Sequence, residues 1–205
     1  IEQVIHHFAE DSTSRNHLQK VVAEEQGKRQ VKSGVRFRDL AIQADQERLT
    51  TMLANDGYLY AQVDPKPILF AERYRADVHV WVNQGPLCRF GSASVSGQVK
   101  TDSALILKQL AFHRGDLYSQ EVLQRSQRFI YQLGVFQFVS IKVRTNASHD
   151  HILPVDIAVK EAPRLTTKLG VGYGREEFLR FFVDVRLLNV AGGARRINFY
   201  AKHSA

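Results

Sequence analysis

Cysteine occurs once in the 205 residues, at Cys88, which excludes an internal disulfide framework and any zinc site built from several thiolates. No run of 18 apolar residues occurs, so no segment has the composition of a membrane-spanning helix. No charged-then-apolar leader opens the chain either, and a leader is expected to have been removed or left out. Acidic residues are the minority among the charged ones, 21 against 28 Lys and Arg, for a net charge of +7. That excess is local: residues 164–205 carry +5 of it and the first 163 only +2. A uniformly basic nucleic-acid binder is not described by this distribution. Ser, His and Asp are scattered without nucleophile-elbow spacing, so nothing argues for a hydrolase. The expectation is a protein that is not an enzyme and uses no cofactor.

Hydrophobic residues make up 44% of the chain, enough for ordinary folded domains. The chain also repeats itself at a spacing of 77: Gly57 pairs with Gly134, Val78, Val80 and Val82 with Val155, Ile157 and Val159, and Gly85-Pro86 with Ala162-Pro163. Upstream, Gly34-Val35-Arg36-Phe37 matches Gly115-Asp116-Leu117-Tyr118 at an offset of 81.

The second copy is the more legible. Phe90 to Val95 alternates as a strand and Gly97 ends it. Thr101 or Asp102 is placed to cap a helix presenting Leu105, Leu107, Leu110 and Ala111. Ser119 is placed to cap a second helix with Leu123, Ile130 and Leu133 on one face, stopped by Gly134. Val139, Ile141 and Val143 then alternate with polar residues, and after a loop at 146–151 Val155, Ile157 and Val159 form the return strand. The order is βααββ.

In the first copy a helix is expected over about 40–55, using Leu40, Ala44, Leu49, Met52 and Leu53, followed by strands near 58–64 and 75–83. Residues 12–27 fit a first helix, capped at Ser12 or Ser14 and ended by Gly27. Residues 1–8 fit a leading strand poorly, so this copy is expected to be incomplete or divergent at its N-terminal end.

Past Pro163 the helical period disappears. Leu165, Leu169, Val171 and Tyr173 alternate with polar residues and glycine; Leu179, Phe181, Val183, Val185 and Leu187 alternate against Arg180, Asp184 and Arg186; Ile197, Phe199 and Ala201 repeat the scheme. Strands of this length, apolar on one face and charged on the other, fit a transmembrane barrel with lipid outside and a polar lumen, although a soluble hairpin packed on a core would show the same alternation. Three strands do not close a barrel, so on the barrel reading the sequence is expected to be a fragment whose unpaired strands invite self-association.

The motifs Gly115-Asp116-Leu117-Tyr118, Leu133-Gly134-Val135-Phe136-Gln137-Phe138-Val139, Leu169-Gly170-Val171-Gly172-Tyr173-Gly174 and Asn189-Val190-Ala191-Gly192-Gly193-Ala194 together resemble the BamA/TamA superfamily of outer-membrane assembly proteins. Ala194 stands where that family's hairpin usually has glycine. The resemblance implies an α+β chain of tandem POTRA modules, each a three-stranded sheet covered by two helices, running into the first antiparallel strands of a truncated barrel. The expected division is 1–86 for an altered module, 87–163 for a complete one and 164–205 for the barrel strands.

It also implies residence in the outer membrane of a Gram-negative bacterium, with the modules in the periplasm. They would receive unfolded outer-membrane proteins or periplasmic assembly partners. By family analogy the pairing edge is the second strand of each module, Phe136, Phe138, Val139, Ile141 and Val143 in one and Tyr58 to Val63 in the other. Leu169, Val171, Tyr173, Phe181, Val183 and Val185 would face lipid.

Two other classes compete. A βααββ start in a basic chain also fits a KH-type RNA binder, but neither inter-helix loop has the Gly-x-x-Gly clamp, so no nucleic-acid partner is expected. A structural spacer holding the barrel away from its partners is compatible with the short join at 83–87, which contains Pro86. His149-Asp150-His151 and His6-His7 carry metal-ligand chemistry without a placeable third ligand, and are read as a solvated turn and a terminus near no anchor, with no metal site. Gly170 to Gly174 lacks the helix and acidic residue of a dinucleotide fingerprint.

Overall fold

A computed structural model describes residues 1–8, 30–145, 150–173 and 179–204. The chain divides into two compact units, one of Ile1–Phe90 with Gly115–Val122 and Thr145–Leu153, the other of Gly91–Arg114, Leu123–Arg144 and Pro154–Ala205. The expected α+β class holds: the described residues form three three-stranded sheets, with helices in the first two-thirds of the chain.

In the first unit, β1 (Gln3–Phe8), β2 (Gln62–Phe70) and β3 (Arg75–Asn83) form a sheet in the order β1-β3-β2. Val78, Val80 and Val82 of the central strand are buried together with Ile42, Leu49 and Leu53 of α1 (Asp39–Asn55). Asp45 lies on the same buried stripe, where its carboxylate accepts the backbone N–H groups of Gln30 and Val31 and the Arg48 guanidinium. Leu40, expected on that face, is 80% exposed, because Ile42 and Asp45 set the stripe half a turn away.

The poor strand at the N-terminus is a real one. β1 runs parallel to β3, and Val4 and Phe8 pack against the core from its edge. The pattern is obscured because His6 and His7 sit among its apolar residues. Nor is the terminus without an anchor: His7 Nε2 lies 2.9 Å from His79 Nδ1, and both rings stack on Trp81. The first-copy strand expected at 58–64 begins at Gln62 instead, since residues 58–61 are still turning out of α1. The helix expected at 12–27 lies outside the described residues.

Asn55 and Gly57, at the end of α1, meet the loops at Leu87 and 115–122. The Cys88 N–H donates to Gly57 O at 2.8 Å, and a Cβ at residue 57 would come within 2.9 Å of Leu87 and Leu117 Cδ1. Asn55 Oδ1 accepts from the Glu121 N–H (2.8 Å) and from the Ser119 hydroxyl (3.3 Å). The Ser119 hydroxyl donates to Asn55, and the helix that follows it also takes a side-chain acceptor from the end of α1.

The second sheet has the order β4-β6-β5, from β4 (Arg89–Ser96), β5 (Phe136–Val143) and β6 (Ile152–Glu161). The helices are short α2 (Ser103–Leu107), capped by Asp102 Oδ1 accepting from the Ala104 N–H at 2.9 Å, and α3 (Gln120–Gln132). In α2 the fully buried residue is Ile106; Leu107 is exposed, because five helical residues present only one inward position. In α3 the buried positions are Ser126 and Ile130, and Ser126 Oγ accepts the Ala111 N–H.

The third sheet joins β7 (Leu165–Tyr173), β8 (Leu179–Val190) and β9 (Arg195–Ser204) in antiparallel order. Gly170 lies beneath the Phe182 ring, which a Cβ would overlap.

Two glycines separate backbone strain from crowding. Gly115 has φ +94° with nothing near a would-be Cβ, whereas Gly97 has φ +84° and a Cβ there would meet the carbonyl oxygen of Val159. Gly115→Ala should cost about 1–2 kcal/mol, the left-handed penalty alone. Gly97→Ala should cost about 3 kcal/mol or more, since backbone must also move. Urea unfolding followed by far-UV circular dichroism checks the order; equal losses would mean the β4 turn has room.

Candidate protein-interaction site

Successive residues of a strand point their side chains to opposite faces and their N–H and C=O groups to opposite sides. In an outer strand, every second residue must therefore direct its backbone groups away from the sheet. For β5 the phase follows from one bond beyond its end: the Arg144 N–H donates to Pro154 O at 2.8 Å, so Arg144 faces β6. Lys142 and Ser140 share that phase, paired with Asp156 and Ala158. Val139, Ile141 and Val143 have the other phase, and their N–H and C=O groups point to the open side.

The five residues expected at this edge are thus not equivalent. Val139 and Ile141 bury their side chains while turning their backbones outward, and Val143 is half-buried in the same phase. Phe136 is buried at 5% exposure and Phe138 is 55% exposed, on either side of a bulge where the register to β6 shifts. One outward acceptor is already used: Gln127 Nε2, from α3, donates to Val139 O at 2.9 Å. Sequence periodicity marks 139, 141 and 143 as core and hides their backbone role.

In the third sheet the register pairs Leu169 with Val183, Val171 with Phe181, Thr167 with Val185 and Tyr173 with Leu179. Phe181, Val183 and Val185 in turn oppose His203, Ala201 and Phe199. Directly paired residues share a face, so the six candidate lipid-facing residues lie on one continuous side. The other side carries Lys168, Asp184, Arg186 and Asn198, with Phe182 and Tyr200 among them.

Sequence reasoning missed the anchor of the β8–β9 turn. Glu161 Oε1 accepts from three successive N–H groups, Val99 (3.1 Å), Lys100 (3.0 Å) and Thr101 (2.8 Å). Burial would raise the Glu161 pKa, but the Thr101 hydroxyl and those backbone donors outweigh it and hold the carboxyl at about 2. Thr101 Oγ1 also accepts from Asn189 Nδ2 at 2.9 Å, and Asn189 Oδ1 accepts the Ala194 N–H at 3.2 Å, closing the turn. Ala194, at φ 54°, holds the left-handed conformation that glycine adopts at lower cost. The nest of donors at 99–101 was legible only as a post-glycine turn, because its acceptor comes from about 60 residues away.

Among the described residues no group of three His, Cys, Asp or Glu is placed to hold a metal; His149 lies outside them. Cys88 is buried, and its thiol pKa is pushed up by burial against a smaller opposing backbone bond from Leu59. Among the described residues no helix is long and apolar enough to cross a membrane, which says nothing about strands.

Two three-stranded sheets with helices, followed by long two-faced antiparallel strands, are the arrangement that tandem POTRA modules running into barrel strands would present. Residues 88–162 match the POTRA family, "Surface antigen variable number repeat". The chain is 27% identical over 146 residues to the outer membrane protein assembly factor BamA of Neorickettsia risticii, a match covering 71% of this chain and 19% of that protein. It superposes on BamA from Haemophilus ducreyi lacking POTRA domains 1-3 with a TM-score of 0.79 and 18% identity, covering 100% of this chain and 37% of the other. For Haemophilus influenzae BamA POTRA3-5 the values are 0.63 and 14%, over 78% of this chain and 61% of that one. At these identities the structural likeness concerns the fold. Residues 88–162 carry the POTRA family match and the whole chain is similar to the BamA/Omp85-type superfamily, while it spans about a fifth of the length of the curated relative from Neorickettsia.

The Glu161 anchor carries a pH signature. Its folded pKa of about 2 lies below the ordinary 4.5, so its contribution is complete above about pH 4.5 and is lost as the pH falls toward 2. Thermal midpoints measured from pH 6 to 2.5 should fall less steeply for Glu161→Gln than for the parent. Parallel curves would show that the nest at 99–101 is held by something else.

Proposed function

We propose that this chain is the periplasmic portion of an outer-membrane protein assembly or translocation factor, non-catalytic, that receives unfolded outer-membrane proteins or assembly partners by β-augmentation at β5. The observation that carries the reading is the phase of β5: the N–H groups of Val139, Ile141 and Val143 point away from β6, at the spacing an added strand requires. Backbone pairing tolerates many sequences, which suits a receiver of varied clients. On this reading 1–86 and 87–163 are the two modules and 164–205 the opening barrel strands. Leu169, Val171, Tyr173, Phe181, Val183 and Val185 face lipid. The unpaired outer strands β7 and β9 give an isolated fragment a route to self-association.

A spacer role has its own support in the close approach of Leu87 and Leu117 to Gly57 and in the Asn55 bonds to Ser119 and Glu121. Photo-crosslinking in cells separates the two. With probes along 136–144 of the full-length protein, adducts to outer-membrane clients are expected at alternate positions. Ile141→Pro removes an outward donor and leaves the β6 ladder intact, so the protein should fold and adduct yield should drop about tenfold, as expected for losing about 1 kcal/mol of pairing plus access for a strand. Undiminished adducts in a folded Ile141→Pro protein would sink reception at this edge, and absence of adducts from the parent would favour the spacer.

A further inference from the structure

The corresponding strand of the first module, β2, has the same place in its sheet but a different chemistry. Its phase is set by the Glu2 N–H, which donates to Ala76 O at 2.8 Å, so Ala76 and the residues in phase with it, Val78, Val80 and Val82, direct their backbones toward β1. Their register partners on β2 are Leu69, Pro67, Pro65 and Val63. Those four must turn their backbone groups to the open side. Two of the four are proline and have no N–H. This also explains how a nine-residue strand with two prolines pairs with β3 along its whole length: neither ring nitrogen faces the ladder. The Val63 carbonyl is occupied as well, accepting from Gln46 Nε2 at 2.8 Å.

We infer that the β2 edge of the first module is closed to strand addition by Pro65 and Pro67, and that of these two like edges an extended segment is accepted on β5. The inference rests on the reading of β5 as a receiver and assigns Pro65 and Pro67 as the residues that determine which of two like edges is used. Outward N–H groups remain on β2 only at Val63 and Leu69, six residues apart, or about 20 Å at strand rise. An incoming strand bonds at every second residue, so across that gap its carbonyls would meet proline rings. On β5 the three outward donors are consecutive in phase. Both strands share a helix glutamine on their first outward carbonyl, Gln46 on Val63 and Gln127 on Val139, so the prolines are the difference that matters.

The test uses the full-length protein with a photo-crosslinking residue at Asp64 on β2 or at Lys142 on β5, in the parent and in Pro65→Val/Pro67→Thr. The parent should give client adducts from Lys142 and at least tenfold fewer from Asp64. The double variant, its fold checked by near-ultraviolet circular dichroism through Trp81, should bring Asp64 adducts to the Lys142 level. Comparable adducts from both probes in the parent, or no gain at Asp64 in a folded double variant whose Lys142 adducts persist, would overturn the closure and leave reception at β5 standing. No adducts from Lys142 in the parent would instead overturn reception itself, and the closure with it.

Discussion

Backbone alternation in a three-stranded sheet is the constraint on which the rest of this chain depends. A central strand satisfies both sides, but an outer strand must send every second N–H and C=O away from its neighbour. In both modules outward residues include ones whose side chains are buried: Val63 in β2, with Pro65 half-buried, and Val139 and Ile141 in β5. Packing and backbone direction are thereby tied to the same positions. A residue that fills the core beneath a helix also places a donor at the rim.

Two accessory devices refine that constraint. A glutamine on the long helix of each module reaches the first outward carbonyl of its outer strand, at 2.8 Å in one and 2.9 Å in the other. The repeat survives here as a contact, although the surrounding sequences have diverged. At the other end of the second module, the Glu161 carboxylate gathers three N–H groups and, through Thr101, the Asn189 side chain. The hairpin between β8 and β9 is therefore seated on the 99–101 turn by buried polar groups, Thr101 and Asn189, that each have a partner. A carboxylate on three consecutive amides is strongly favoured in its charged form, which accounts for the low pKa.

Much of the architecture was legible from periodicity. The βααββ order of the second copy and the two-faced strands after Pro163 follow from local spacing of apolar residues, because a strand or helix with one buried face prints its period on the sequence; the edge position of β5 came from the family resemblance. The weak points were local too. Gln3–Phe8 looked unlike a strand because histidines interrupt it, and the partner that makes it one, β3, lies more than 70 residues on. Leu40 matched a helical stripe that Ile42 and Asp45 in fact occupy, since only the position of the sheet decides which side of a helix is buried.

By itself, then, the sequence determined the kinds of element, their order and the repeat, properties that reside in spacing and composition. Only the tertiary structure decided which backbone groups face outward, since phase depends on which neighbour a strand pairs with. It also decided that Asn55 serves the next module's helix, that Glu161 holds a loop about 60 residues earlier, and that the outward positions of β2 include Pro65 and Pro67. Each of these is a relation between distant segments, and distance along the chain leaves no periodic trace.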